Sequence, residues 1–233
     1  MASKARVAFD ANCKDVDRLL EIHGTLGGDK QGRRFQLEVL NKSAIVLVSA
    51  IWEAYCEDIV AEAVEHLIAV SQNAAVLPTS IKKIVAKELK EDKNELAIWE
   101  VADNGWKNVL QSRLKRMQES RARKLNTPKS EQIRNLFHDV LGIDDITEVW
   151  YWPKMSSTQA AAKLDAFISM RGEIAHRGAV ERAVSKQTVV DFLNHVQRLV
   201  RKTGKSVNRS VKDATGESLF EGDSSDTSET SED

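Results

Sequence analysis

Cysteine is scarce in this chain of 233 residues, which has only two. Cys13 and Cys56 lie far apart, and neither belongs to a Cys-x-x-Cys motif. Disulfide frameworks need several paired cysteines, and zinc modules need closely spaced Cys or His ligands. We therefore expect two free thiols, and the sequence predicts neither a disulfide framework, nor a metal site, nor a cofactor.

Long apolar segments are also missing. No apolar run reaches the ~18 residues needed to span a bilayer. The first six residues, MASKAR, lack the apolar core of a signal peptide. We therefore expect a cytoplasmic protein with no membrane partner.

Proline is rare, with three in the chain, and there is no regular series of short alternating strands. Long runs rich in Ala, Leu, Glu, Lys and Arg favour helix. A hydrophobic content of 42% is enough for a packed core. The sequence therefore predicts an all-α protein.

Charge is unevenly distributed behind a net value of -1. Residues 213–233 hold eight acids and no base, so the rest of the chain carries about +7. From residue 206 onward the chain is rich in Ser, Thr, Asp and Glu and poor in apolar residues. We expect a helical domain over 1–205 and a disordered acidic tail over 206–233, which would be able to cover a basic surface.

The longest helical pattern runs from about residue 34 to 73, and it would extend ~60 Å if it were continuous. Its middle, residues 44–56, is apolar around most of its circumference, which is typical of a helix buried by several neighbours. Glu53 is the exception there. Two interpretations stay open: a solvent-facing edge, or a carboxylate held by an Arg, a His or backbone donors.

Shorter helical patterns precede and follow this long one in the sequence. Ser185 is suited to cap the last of them, and Gly204 is suited to end it. We interpret His195, on that last helix, as a satisfied or exposed residue rather than a catalytic one. The predicted ranges are 7–26, 80–93, 98–114 with an interruption near 104–105, 128–141 ending at Gly142, 156–177 and 185–204, with an irregular aromatic connection over 143–155.

A cluster of bases lies between residues 113 and 134, where Glu119 and Glu131 are the only acids. Such a cluster is able to follow a phosphate backbone, although a run of charge is also typical of a solvated helix face. Its members are Arg113, Lys115, Arg116, Arg121, Arg123, Lys124, Lys129 and Arg134.

Residues 168–178, ISMRGEIAHRG, place a permanently charged Arg171 and a titratable His176 in an otherwise apolar helical segment. The spacing alone is weak, because Arg18 and His23 repeat it. Residues i and i+5 of an α-helix are separated by ~140° around its axis. Either the helix breaks, for instance at Gly172, or two chains pair and share a cleft.

Residues 171–178 resemble the Arg-x(4 to 6)-His signature of the HEPN superfamily, all-helical domains of which many are metal-independent endoribonucleases. The similarity extends to WEAY at 52–55, to SEQIRNLF at 130–137 closing at Leu141 and Gly142, and to the final helix. Over roughly residues 35–202 the chain is similar to the prokaryotic RiboL-PSP type. The resemblance implies a HEPN-like bundle with a long central helix.

The resemblance also implies a homodimer in which Arg171 and His176 face their counterparts and cleave RNA. The histidine would act as general base and acid, and the arginine would stabilise the transition state. Glu53 or Glu173 would orient them. The implied role is a toxin or effector of bacterial stress or antiphage defence, with RNA as substrate and an antitoxin or defence-system protein as a possible partner. The residues expected to bind RNA are Arg113, Lys115, Arg116, Arg121, Arg123, Lys124 and Arg177.

Two alternatives stay open. HEPN nucleases commonly carry a polar residue, often Asn or Asp, directly after the arginine, and this chain has Gly172 there. A non-catalytic HEPN module that binds RNA or a protein is the first alternative. A structural helical assembly protein, in which the Arg171 and His176 pair arises by chance, is the second.

Overall fold

The computed structural model describes residues 2–27, 37–122, 127–177 and 183–221, without the side chains of 117, 120–122 and 177. Over these ranges the chain forms seven α-helices and no β-strand, which confirms the all-α prediction. The helices are α1 (Lys4–Gly27), α2 (Glu38–Val70), α3 (Thr79–Lys90), α4 (Gly105–Ala122), α5 (Ser130–Leu141), α6 (Ser157–Arg177) and α7 (Lys186–Thr215), with short 3₁₀ helices at Ala74–Val76, Ala97–Val101 and Ile146–Val149.

Helix α2 is the centre of the bundle. Its 33 residues extend about 50 Å, and it packs against α1, α7, α6, α4 and α5. Polar atoms on α2 also bind its neighbours: the Trp52 indole N–H donates to the Pro128 carbonyl (3.3 Å), and the Tyr55 hydroxyl donates to the Val200 carbonyl (3.0 Å). The predicted long central helix is therefore confirmed, and it ends at Val70, a few residues before the sequence pattern does.

The first residue of α5, Ser130, is hydrogen-bonded to α6. The Asp165 carboxylate accepts hydrogen bonds from the backbone N–H of Ser130 (2.7 Å) and from its hydroxyl (2.8 Å). The helix ends at Gly142, which has φ 66°. A Cβ there would lie 2.0 Å from Oγ of Ser80. Gly142 is therefore required both by the left-handed backbone and by the close approach of α3, and the predicted stop is confirmed.

The predicted end of α7 near Gly204 is wrong, because the helix continues to Thr215. Val207 and Val211 extend its buried face. A Cβ at Gly204 would lie 2.8 Å from the Tyr55 hydroxyl oxygen, so this glycine allows close packing of α7 on α2 inside a helix. The C-cap is Gly216, with φ 79°.

The first part of the predicted disordered tail is also folded. Asn208 on α7 binds the backbone of Phe220 twice, through its Oδ1 (3.2 Å) and its Nδ2 (3.1 Å). The domain boundary that we expected at residue 205 therefore falls inside α7, and folded structure extends to residue 221. Residues 222–233 lie outside the described residues.

The end of α6 lies at the same end of the bundle as the start of α7. The two helices run antiparallel, because Phe167 stacks on Phe192 (4.4 Å between centroids) while His195, further along α7, binds the Ala160 carbonyl (3.0 Å). The Asn41 side chain of α2 donates to the Val184 carbonyl just before α7 (2.9 Å). The start of α2 therefore lies at this end too, and we call it the motif end of the bundle.

Candidate functional site

Helix α6 runs without interruption through Arg171, Gly172 and His176 to Arg177. A Cβ at Gly172 would meet no heavy atom of the described residues within 4 Å. The glycine therefore does not break the helix, and no described residue approaches it closely. The ~140° separation around the axis is preserved, so Arg171 and His176 of one chain point in different directions.

Arg171 lies on the inward face of α6. It follows Phe167 by four residues and Ile168 by three, and both of these are buried in the core. The Arg171 side chain is half-buried, and its Nε is enclosed without a hydrogen-bond partner among the described residues. Enclosing such a donor costs ~1–3 kcal/mol. A cost of this kind identifies Arg171 as a candidate functional residue.

His176 is exposed to solvent near the end of α6. Gly172 lies one turn before it on the same side of the helix. Glu173, three residues before His176, is exposed as well and lies on the same side of the helix. The end of α6 thus offers one accessible imidazole beside one accessible carboxylate.

Glu53 lies on α2, which packs against α6. Its side chain is half-buried, and it interacts with another group of the chain. This arrangement agrees better with a held carboxylate than with a fully solvated one. Glu53 stays a candidate positioning residue.

Arg113, which the sequence predicts to bind RNA, is held inside the bundle. Its side chain is 9% exposed, and its Nε lies 2.9 Å from the Glu88 carboxylate of α3. Its Nη1 donates to the Asp139 carbonyl of α5. Because both ends of the guanidinium are used inside the bundle, Arg113 joins α4 to α3 and α5.

The rest of the predicted basic cluster is partly neutralised. Arg116 shares Glu88 (3.6 Å) with Arg113, and Arg134 pairs with Asp145 (3.0 Å). Lys115 is exposed. The side chains of Arg121, Arg123, Lys124 and Arg177, also predicted to bind RNA, lie outside the described part of the chain.

A second group of bases was missed at the sequence level. They recur every three or four residues along α7, which places them on one face of the helix. The signal was readable, but the expected stop near Gly204 divided it. The members are Arg198, Arg201, Lys202, Lys205, Arg209 and Lys212.

His195 is buried on α7, as a satisfied residue rather than an exposed one, and its Nε2 lies 3.0 Å from the Ala160 carbonyl oxygen. Burial lowers the pKa of His195 to about 4, although the bond to Ala160 opposes that shift, and the cations Lys163 and Arg198 lower it further. The imidazole is therefore neutral in the folded protein at neutral pH.

Acidification should destabilise the protein through His195. In the unfolded chain a histidine takes up a proton near pH 6.5, whereas the folded protein does so only near pH 4. The stability that neutral His195 contributes to the fold is therefore fully present above about pH 6.5. As the pH falls toward 4, the free energy of unfolding decreases by up to about 3 kcal/mol. Urea unfolding at about pH 7.5 and about pH 4.5 measures this loss.

The matched controls for this measurement are two glutamine variants. His195→Gln should flatten the pH dependence over that range, because glutamine keeps a donor but does not titrate. His138→Gln, at an exposed histidine beside Asp139, should keep it. A His195→Gln protein with the wild-type pH dependence would contradict the assignment.

Two features are absent from the described residues. No helix among them is long and apolar enough to cross a membrane. No three His, Cys, Asp or Glu side chains among them converge as a metal site requires.

Comparison with known proteins agrees with the resemblance. The family model for RiboL-PSP-HEPN matches residues 12–209, which include the central helix, α6 with Arg171 and His176, and most of α7. No curated protein and no solved structure matches the chain. The chain therefore belongs to the RiboL-PSP-HEPN family, whose domains generally act as ribonucleases or bind RNA.

Proposed function

We propose that this protein is a dimeric endoribonuclease that cleaves RNA without a metal ion, using Arg171 and His176 of both protomers. The observation that carries the proposal is the enclosed Nε of Arg171, which no described residue binds, about one and a half turns from an accessible His176 on an unbroken helix. A guanidinium with unused N–H donors can stabilise the negative charge of a phosphate group while it is transferred from one oxygen to another.

The geometry of α6 supports the dimer. Because one helix holds Arg171 and His176 ~140° apart, a single chain does not present both to one phosphate. A second copy, related by a two-fold axis beside the motif end, would bring another arginine and another histidine to the same cleft. Molar mass in solution tests this part of the proposal, and a monomer at assay concentration would contradict it.

The residues suit transesterification. A neutral imidazole takes the proton of a ribose 2′-hydroxyl, and the 2′-oxygen attacks the adjacent phosphorus. An imidazolium gives a proton to the 5′-oxygen as the bond from phosphorus to that oxygen breaks. The products are a 2′,3′-cyclic phosphate and a 5′-hydroxyl. Arg171 stabilises the added negative charge at phosphorus in the transition state.

The test is cleavage of single-stranded RNA in EDTA. We expect products that end in a 2′,3′-cyclic phosphate, and no cleavage where the nucleotide before the cut carries a 2′-deoxyribose, because the nucleophile is then missing. Cleavage that needs an added divalent metal, or that continues at the 2′-deoxy position, would contradict the proposed chemistry.

In the cell we propose a role as toxin or effector in bacterial stress or antiphage defence, restrained by an antitoxin or another defence-system protein. An RNA-cleaving enzyme would need such restraint, because free activity would damage the RNA of its own cell. Growth arrest on expression tests this role, and normal growth with active enzyme present would contradict it.

A second candidate is a HEPN module that binds RNA or a protein without cleaving. Gly172 favours it, since the place after the arginine carries no polar group although a side chain would have room there. The same EDTA assay separates the two: binding without cleavage supports the module, and cleavage supports the enzyme.

A further inference from the structure

A long basic depression runs along the exposed side of α7. One part, of about 710 Å³, lies between α7, α6 and residues 152–155, and another, of about 640 Å³, lies between α7 and the first residues of the chain. Arg6 and Arg201 line both parts, so they form one continuous surface. We call this surface the α7 groove.

Three cations of the α7 groove and its edge rest on aromatic rings. The Arg198 guanidinium lies 5.4 Å from the centre of the Trp152 ring, the Lys202 ammonium 5.1 Å from that of Tyr151, and the Lys163 ammonium 5.9 Å from that of Phe167. Among the described residues none of the three cations pairs with a carboxylate. Their charge is therefore available to an anion, whereas Arg113, Arg116 and Arg134 are paired internally.

Acids in the α7 groove are fewer than bases. Asp191 lines the part next to α6, and Asp213 and Glu221 line the far end. The middle, around Arg198 and Arg201, is lined by bases and by neutral polar and apolar groups, and Arg6 there pairs with Asp10 (2.8 Å). The groove is thus most positive along its middle.

Aromatic side chains in and beside the groove add flat surfaces to the positive charge of the bases. Tyr151 is 59% exposed. Trp152 is half-buried and meets His195 edge to face (5.5 Å). Exposed rings next to cations match single-stranded nucleic acid, whose bases stack while its phosphates bind the cations. An acidic peptide would use the charge but not the rings.

The α7 groove begins close to the candidate active site. Lys163 precedes Arg171 by eight residues on α6, a rise of ~12 Å. Asp191 adjoins Phe192, which packs against Phe167 one turn before Arg171. An RNA strand lying in the groove would therefore have one end near the motif end of the bundle.

We propose that the α7 groove is the binding path for single-stranded RNA, with Arg198, Lys202 and Lys163 on its phosphates and Tyr151 stacked on a base. This inference rests on the proposed function in taking RNA as substrate. It assigns RNA binding to α7 instead of the 113–134 cluster that the sequence predicted. Single strands are preferred over duplex, because paired bases are not free to stack on Tyr151.

The test measures binding of a labelled single-stranded oligoribonucleotide to the full chain carrying His176→Ala, so that the RNA stays intact. Tyr151→Ala should weaken binding roughly 5- to 150-fold, the loss expected for one stacked base, while Tyr151→Phe should keep it. Arg198→Ala combined with Lys202→Ala should make the plot of log affinity against log salt less steep. The magnitude of its negative slope should fall by about 1.4, because two phosphate contacts are lost.

The matched control is Lys115→Ala combined with Arg116→Ala, which removes two exposed bases of the other cluster. We expect a smaller loss of affinity from this pair than from the groove pair. Thermal melting confirms that each variant is folded, and Tyr151, being exposed, tolerates truncation.

Three results would overturn the inference. The first is unchanged binding by the groove variants, and the second is a larger loss from the Lys115 and Arg116 pair. The third is capture of a polyglutamate peptide, but not RNA, by the groove bases. The proposed function fails separately: groove-dependent binding without cleavage by the wild type rejects the nuclease and keeps the groove, whereas cleavage with groove-independent binding does the reverse.

Discussion

Replacing His176 by alanine should reduce RNA cleavage in EDTA by about 10²- to 10⁴-fold, the usual cost of losing one general acid or base. The side chain is exposed at the end of α6, so its removal should leave the fold intact. Initial rates of cleavage under single-turnover conditions measure the effect. Expression in bacteria gives a second readout, in which the variant should no longer arrest growth.

The control for His176→Ala is His138→Ala, at another exposed histidine, on α5. That variant should cleave at the wild-type rate. The dimer should persist in both proteins, as judged by molar mass in solution. A fully active His176→Ala protein would reject the proposed enzyme, whatever happens to RNA binding.

Replacing Arg171 by leucine should have two effects of opposite sign. Cleavage should fall by about 10²- to 10³-fold, because the transition state loses a charged donor. The free energy of unfolding should rise by ~1–3 kcal/mol, because an enclosed Nε that no described residue binds disappears from a face shared with Phe167 and Ile168. Cleavage rates and urea unfolding measure the two effects on the same protein.

Arg18→Leu is the matched control, since Arg18 and His23 have the same spacing on α1. Arg18 is 72% exposed and pairs with Glu21 at 3.1 Å. Its replacement should change stability by less than about 0.5 kcal/mol and leave cleavage unchanged. If Arg171→Leu instead destabilises the fold by several kcal/mol, Arg171 is a structural residue and its proposed role is wrong.

The two glycines that ended predicted helices show how far local signals reach. Gly142 ends α5 as expected, because its left-handed backbone is a local property of the chain. Gly204 lies inside α7, where a glycine is needed because the Tyr55 hydroxyl occupies the space that a side chain would fill. A glycine required by packing and a glycine required by backbone angle look the same in one sequence.

The basic residues show the same division. Clustering at 113–134 was visible in the sequence, yet Glu88 and the Asp139 carbonyl hold Arg113 in the bundle from other helices. The bases of α7 were equally visible, and their setting against Trp152 and Tyr151 came from the chain connection that precedes α6. Whether a charge is paired depends on long-range neighbours.

The sequence by itself determined the all-α class, the long central helix, the stop at Gly142, the cap at Ser185 and the family, because periodicity, end signals and the 171–178 motif are local patterns. Tertiary structure alone decided that α6 stays unbroken through Gly172, that Arg171 faces inward with an Nε that no described residue binds, that Arg113 pairs inside the bundle and that α7 reaches Thr215. These features depend on contacts between residues distant in the chain, and the packing free energy of such contacts outweighs local preference.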